Sequence, residues 1–166
     1  MADWLREFDA SYRFMRVSRA TGAEVFELEG FEDGGSISRN LDTDVYESAS
    51  ATCEGGLDVG AALVRVYLDA DFGGEVERVA LGTFVPSVPK RDVSGEVDRA
   101  SVSMQGRLSE LAEDAFDAPF SLPAGSDPVA EAAAICRACG LAVSADVSAY
   151  RLSTAWTFGL SETSDG

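Results

Sequence analysis

The 166-residue sequence predicts a mainly β (α+β) fold, an antiparallel β-barrel-like or open sheet with two short helices in the C-terminal third. Three observations predict it. Short runs alternating apolar with polar residues recur through the first two thirds of the chain, and Gly-containing turns separate them at hairpin spacing. Near residue 107 the apolar period then lengthens from two residues to about 3.6.

Taken in order, Tyr12–Ser18 is rich in aromatic and apolar residues and reads as a strand. Ala20-Thr21-Gly22-Ala23 turns the chain into a second strand carrying Val25, Phe26 and Leu28. Asp33-Gly34-Gly35 reads as a break before the extended segment Ser36–Leu41. Tyr46–Cys53 alternates small with polar residues. Leu63–Leu68 is the clearest strand, with Val64, Val66 and Leu68 on one face. Asp71-Phe72-Gly73-Gly74 turns it back into Val76–Val85, and Pro86 and Pro89 close that strand because neither donates a ladder hydrogen bond. Val93–Arg99 reads as loop or turn, after which Ala100, Val102 and Met104 alternate with Ser101, Ser103 and Gln105.

Leu108, Leu111, Ala112, Ala115 and Phe116 recur at helical spacing and predict a helix near 107–116. A second helix is predicted near 128–139. Asp127 suits its N-cap, Pro128 its first turn and Gly140 its C-terminal stop, with Val129, Ala132, Ala133, Cys136 and Cys139 as an apolar stripe. Leu141–Val143 and Tyr150–Leu152 read as short strands. These boundaries give an N-terminal extension over 1–11, one domain over 12–155, and a following segment or frayed tail over 156–166.

The charge is lopsided: 29 acidic residues against 13 basic ones, net −16. Lys90 is the one lysine. A field of that sign repels phosphate backbones and anionic lipid, which argues against nucleic-acid and membrane-surface partners. No stretch approaches the ~20 consecutive apolar residues of a membrane-spanning helix, and Met1–Glu7 lacks the basic start and apolar run of a secretory signal. Three cysteines, an odd number, fit a reducing interior better than a disulfide scaffold.

Catalytic and metal chemistry find little to work with. The chain has no histidine, which removes the commonest general base, the commonest metal ligand and every Ser-His or Cys-His nucleophile. Cys136 and Cys139 form a CxxC, but with Cys53 as the remaining thiol a closed zinc site lacks its usual fourth ligand. Both thiols also fall in the last turn of the predicted helix, away from the N-terminal dipole that activates redox cysteines. Asp69-Ala70-Asp71-Phe72-Gly73-Gly74 resembles the opening of a calcium loop, yet Ala80 stands where the bidentate glutamate belongs, so it reads as a hairpin tip. Carboxylate pairs are too abundant in so acidic a chain to point anywhere. No residue is therefore assigned a catalytic, cofactor or metal role, and no cofactor is expected.

In sequence order, several phrases resemble the N-terminal domain of phage tail baseplate-hub proteins, the siphophage tail-tip family also called minor tail proteins. Tyr12–Ser18 followed by Phe31–Asn40 resembles the family's opening hairpin and its phenylalanine, glycine and serine/asparagine phrase. Glu47-Ser48-Ala49 and Arg65–Asp69 continue the match, and Leu81-Gly82-Thr83-Phe84-Val85-Pro86-Ser87-Val88-Pro89 is similar to the family's Leu-Gly-Thr-Phe strand. Val102–Leu111 stands at the strand-to-helix step, although Gly106-Arg107 departs from the usual pair there. Pro128–Leu141 matches the glycine-ended helix, and Trp156–Ser161 the next tryptophan landmark. Members of the family usually continue further; a shortened segment, a truncated prophage remnant and a small version of the module all fit the stop seen here.

The resemblance implies a non-catalytic virion structural protein located in the tail, and in the host cytoplasm during assembly. It implies a β-barrel-like hub domain that is trimeric in the assembled tail and contacts the distal tail protein and tip or fibre proteins. Two other classes compete: a carbohydrate- or small-ligand-binding β-module using Tyr67, Tyr150 and Trp156, and a metal-independent hydrolase using paired carboxylates.

Overall fold

In a computed structural model, residues 4–43, 45–54, 61–87, 90–94, 97–112, 119–146 and 148–158 are described. The fold is mostly β, an antiparallel curled open sheet with two short helices. Contacts divide the chain into two compact units, Met1–Leu108 and Ser109–Gly166.

The first unit holds β1 (Asp9–Val17), β2 (Glu24–Leu28), β3 (Phe31–Arg39), β4 (Glu47–Glu54), β5 (Leu63–Asp71), β6 (Val76–Pro86), β7 (Lys90–Ser94) and β8 (Val97–Gly106). Their order is β2-β1-β5-β6-β8-β4-β3, with β7 beside β8. Every pairing is antiparallel. The order explains the burial. Central β5 buries Val64 and Val66 on one face and Leu63 and Asp69 on the other, while edge strand β2 leaves Val25 and Phe26 exposed.

Curling places one face of the sheet around a core of Leu28, Val64, Val66, Phe84, Val102 and Met104, with the small residues of β4 opposite them. Register matches size to size: Ala49 faces Met104, Ala51 faces Val102 and Cys53 faces Ala100. Small residues along β4 thus make room for the longer side chains of β8, as close packing requires. The Leu81-Gly82-Thr83-Phe84 phrase has an equally local cause. A Cβ on Gly82 would stand 2.6 Å from Phe84 Cζ, so the missing side chain leaves space for a fully buried ring. Opposite β5, Val66 pairs with Gly82 and Tyr67 with Ala80, leaving Leu81 as the extra residue of a bulge that bends β6.

The second unit contains α1 (Ser109–Ala112), β9 (Phe120–Leu122), α2 (Pro128–Ala138) and β10 (Trp156–Phe158). Asp127 caps α2, its Oδ1 accepting from the Val129 and Ala130 amides at 3.0 and 3.3 Å. Gly140, at φ 78°, ends the helix while the Leu141 amide donates to the Cys136 carbonyl at 2.9 Å. Paired backbone bonds, Gly125 N–H to Leu152 O at 2.8 Å and Leu152 N–H to Ser126 O at 3.0 Å, stitch the unit together.

Several expectations need correction. Asp33-Gly34-Gly35 lies within β3 rather than breaking the chain: the strand runs through it with shifted register, Gly34 taking φ 101°. Much of the 93–99 segment, expected as loop, belongs to the β7–β8 hairpin; the polar Lys90–Ser94 run gives no apolar alternation to announce an edge strand. Leu141–Val143 and Tyr150–Leu152 are not strands, their backbone groups turning instead to the helix end and the Ser126 turn. The strands of this unit are β9 and β10, three residues each and too short to show a period. The first helix is seen as Ser109–Ala112, and the rest of its expected range, 113–116, lies outside the described residues. On α2 the expected stripe is less buried than its spacing implies: Ala133 is buried, Cys136 and Cys139 are half-buried, and Val129 and Ala132 are exposed.

Candidate functional site

Two features of the first unit bring side chains together: a cleft on the concave face and an ion network on the outer face. The cleft arises from topology. β1 and β3 are not hydrogen-bonded neighbours, yet curling carries Phe14 of β1 onto Phe31 of β3, their rings stacked with centroids 3.8 Å apart. Beside that stack opens a cleft of about 390 Å3, lined by Tyr12 and Phe14 from β1, by Phe31, Glu32 and Ile37 of β3, and by Val66, Leu81 and Met104. The volume falls within the ~300–1,000 Å3 of small-molecule sites. Glu32, which Arg99 Nε approaches at 2.7 Å, also lines the cleft, with Ser36 and Ser50 at its border.

Arg39, near the end of β3, crosses toward β6. Its Nε donates to Glu47 Oε1 at 2.8 Å and its Nη2 donates to the Leu81 carbonyl exposed by the bulge. Glu47 lies against two strands that lack side chains to obstruct it: a Cβ on Gly106 would meet Glu47 at 3.0 Å, and one on Gly82 would meet it at 3.4 Å. This end of the concave face is polar and tied; the cleft is mainly apolar.

On the outer face, Asp69 of β5 is buried, yet stands between two arginines. Arg78 of β6 reaches both of its carboxylate oxygens, at 2.6 and 2.8 Å, and Arg13 of β1 donates to Oδ2 at 2.8 Å. Arg13 extends the chain to Glu27 of β2 at 3.0 Å. The Arg78 bonds, followed by its charge and by Arg13, hold the Asp69 carboxyl below the ordinary carboxylate range against the opposing effect of burial. A parallel group joins Glu24 to Arg65 at 2.9 Å and to the Tyr67 hydroxyl at 2.5 Å, and these bonds, Tyr67 first, lower the Glu24 pKa. Each carboxylate is thus an ionised partner of arginine, which suits cross-strand stabilisation and denies either one the proton a general acid needs.

The residues singled out from sequence are dispersed. Tyr67 spends its hydroxyl on Glu24 in the first unit, whereas Tyr150 and Trp156 belong to the second, and none of the three lines the cleft. Asp71 Oδ1 accepts from the Gly73 and Gly74 amides at 2.9 and 2.7 Å, and both glycines have positive φ, the geometry of a hairpin tip. Asp69, the other carboxylate of that phrase, is held by the arginines. Among the described residues no three His, Cys, Asp or Glu side chains gather where they could hold a metal ion. Cys53, Cys136 and Cys139 form no disulfide, and the buried Cys53 thiol donates to the Ala100 carbonyl at 3.6 Å. The cleft was not legible in the sequence: its walls come from strands far apart in the chain, and no motif spans them.

No helix among the described residues is long and apolar enough to cross a membrane. No family model matches the chain, and no curated protein matches it. Among solved structures it is similar to the tail protein from Neisseria meningitidis MC58, at 16% identity and a TM-score of 0.49. The alignment covers 76% of this chain and 33% of that one, so the chain spans about a third of that protein's length.

Proposed function

We propose that this chain is a non-catalytic structural component of a phage or prophage tail tip, a baseplate-hub module that assembles with the distal tail protein and with tip or fibre proteins. The observation that carries the reading is the ordered series of hub-like phrases, above all Leu81-Gly82-Thr83-Phe84. The described parts of the earlier phrases occupy successive strands of one curled sheet, β1, β3, β4, β5 and β6, so one packing arrangement uses them all. In the assembled tail the module is trimeric in this reading, and the sheet edges left open in the isolated chain are covered by neighbours.

The test is to mix the complete gene product with the distal tail protein encoded beside it and to measure the mass of the complex by light scattering over a range of salt. A stable complex, with density for this fold at the tail tip by cryo-electron microscopy, is the expected result. Absence of both overturns the reading.

The cleft favours a second reading, a carbohydrate- or small-ligand-binding module. Against it, Phe14 and Phe31 stack on each other, so the faces they share are not open to a sugar ring. Saturable binding from a glycan panel at the cleft would support it.

A further inference from the structure

The cleft borders an incomplete part of the sheet. β5 pairs with all of β1, from Asp9 to Val17, but on the other side β2 pairs only with Phe14–Val17. Among the described residues no strand covers that second edge over Asp9–Arg13. The cleft opens beside this bare stretch, where Tyr12 stays 56% exposed above the apolar residues Ile37, Leu81 and Met104. An unpaired edge beside an apolar trough is what an added strand requires: main-chain bonds supply affinity, and alternate side chains fall into the trough.

We infer that an extended segment of a different, basic protein docks here, pairing with Asp9–Arg13 in continuation of β2 and placing alternate apolar side chains in the cleft. Charge selects this occupant. Asp9 stands exposed at the start of the edge, and Arg13, the cation on the edge, is already bound to Asp69 and Glu27. A second copy of this chain brings another net −16, which disfavours it at this edge, whereas an alternating apolar and basic segment is attracted. The inference rests on the sheet and its charge, not on the tail reading, and stands or falls separately from it.

The probe is a peptide of alternating valine and lysine, about eight residues long, close to a typical strand. It is titrated into the full chain while backbone amide exchange is followed. The expected result is saturable binding that weakens as salt rises from about 50 to about 500 mM, with new protection at Ala10–Arg13. The same peptide N-methylated at alternate residues keeps its charge and apolar groups but loses strand bonds, and should bind at least about tenfold more weakly. Tyr12→Ser, which removes an exposed ring from the cleft wall without changing the charge, should produce a similar loss. Equal binding of the N-methylated peptide overturns the inference, as does protection confined to Glu24–Leu28 or the absence of saturable binding. Self-association of the chain that Tyr12→Ser abolishes would also overturn it, by making a second copy the occupant.

Discussion

Replacing Asp69 with asparagine isolates the charge at the centre of the outer-face network. The side chain is 7% exposed, receives three hydrogen bonds from two arginines, and links β1, β5 and β6. Asparagine keeps the shape, removes the charge and turns an amide donor toward guanidinium donors. A bond to a charged group contributes about 1.5–3 kcal/mol, and breaking a buried pair costs about 3–5 kcal/mol. Arg13 and Arg78 are 43% and 50% exposed, so water re-solvates them once the carboxylate is gone. That relief brings the expected loss to about 2–3 kcal/mol, a fall of about 1–2 M in urea midpoint for an m-value of about 1.5–2 kcal/mol/M.

The assay should follow the sheet unit alone. In a Trp156→Phe background, Trp4 is the remaining tryptophan and packs edge-on against Phe8 and Phe72, with centroids at 5.6 and 5.5 Å. Its fluorescence reports unfolding of that unit. The sign of the pH dependence follows from the depressed folded pKa. The carboxylate's contribution is complete above the unfolded value of about 3.9 and is lost as pH falls through the lower folded value. The gap between parent and variant should therefore hold steady from about pH 5 to 8 and narrow toward about pH 2.5. A gap below about 0.5 kcal/mol at neutral pH, or one that does not narrow in acid, refutes the reasoning.

Gly82→Ala should cost about 1–3 kcal/mol, because its Cβ would press on a Phe84 ring with no exposed side to swing toward; urea unfolding measures it. Phe84→Ala should cost about 3–5 kcal/mol by the same assay, as the loss of a fully buried aromatic. Asp127→Ala should lower the stability of the second unit by about 1 kcal/mol, since the cap accepts two helix amides and Arg151 pairs with its carboxylate at 3.2 Å; amide exchange at Val129 and Ala130 reads it. Replacing Cys136 and Cys139 together with alanine should leave the metal content of the purified protein unchanged and cost about 1 kcal/mol, because both are only half-buried. Stoichiometric zinc abolished by that change contradicts the reading of these thiols.

The strands that the sequence made legible are those whose surroundings differ on their two faces. Tyr46–Cys53 alternates because Ala49, Ala51 and Cys53 meet β8 while Ser48 and Ser50 stay exposed, and this asymmetry is written in period two. The caps of α2 were legible because Asp127 and Gly140 act on their own neighbours in the chain. Where a segment's state depends on distant partners, the signal fades. β7 is a strand because β8 offers it an edge, not because Lys90–Ser94 prefers to extend. Gly34 and Gly35 carry turn chemistry in any local reading, but β4 holds them in line: a Cβ on Gly35 would stand 2.7 Å from the Ser50 carbonyl, so the approach of the two strands itself demands glycine. The cleft is the extreme case, since it depends on how far the sheet curls.

The ion pairs bear on how such an acidic chain meets its partners. Among the described residues, Arg13, Arg39, Arg65, Arg78, Arg99 and Arg151 each engage a carboxylate of the same chain. These six positive charges are therefore used within the chain, as short cross-strand or capping contacts that salt screens only weakly where they are partly buried. The net surplus of acid, 29 acidic residues against 13 basic ones, governs the field at longer range. Added salt should thus separate the two functions of charge: folding, measured by urea midpoint, should change little between about 50 and 500 mM, whereas association with any basic partner should weaken steeply over the same range. Parallel loss of both would mean that the surface pairs, rather than the buried core and Asp69, set the stability of the sheet.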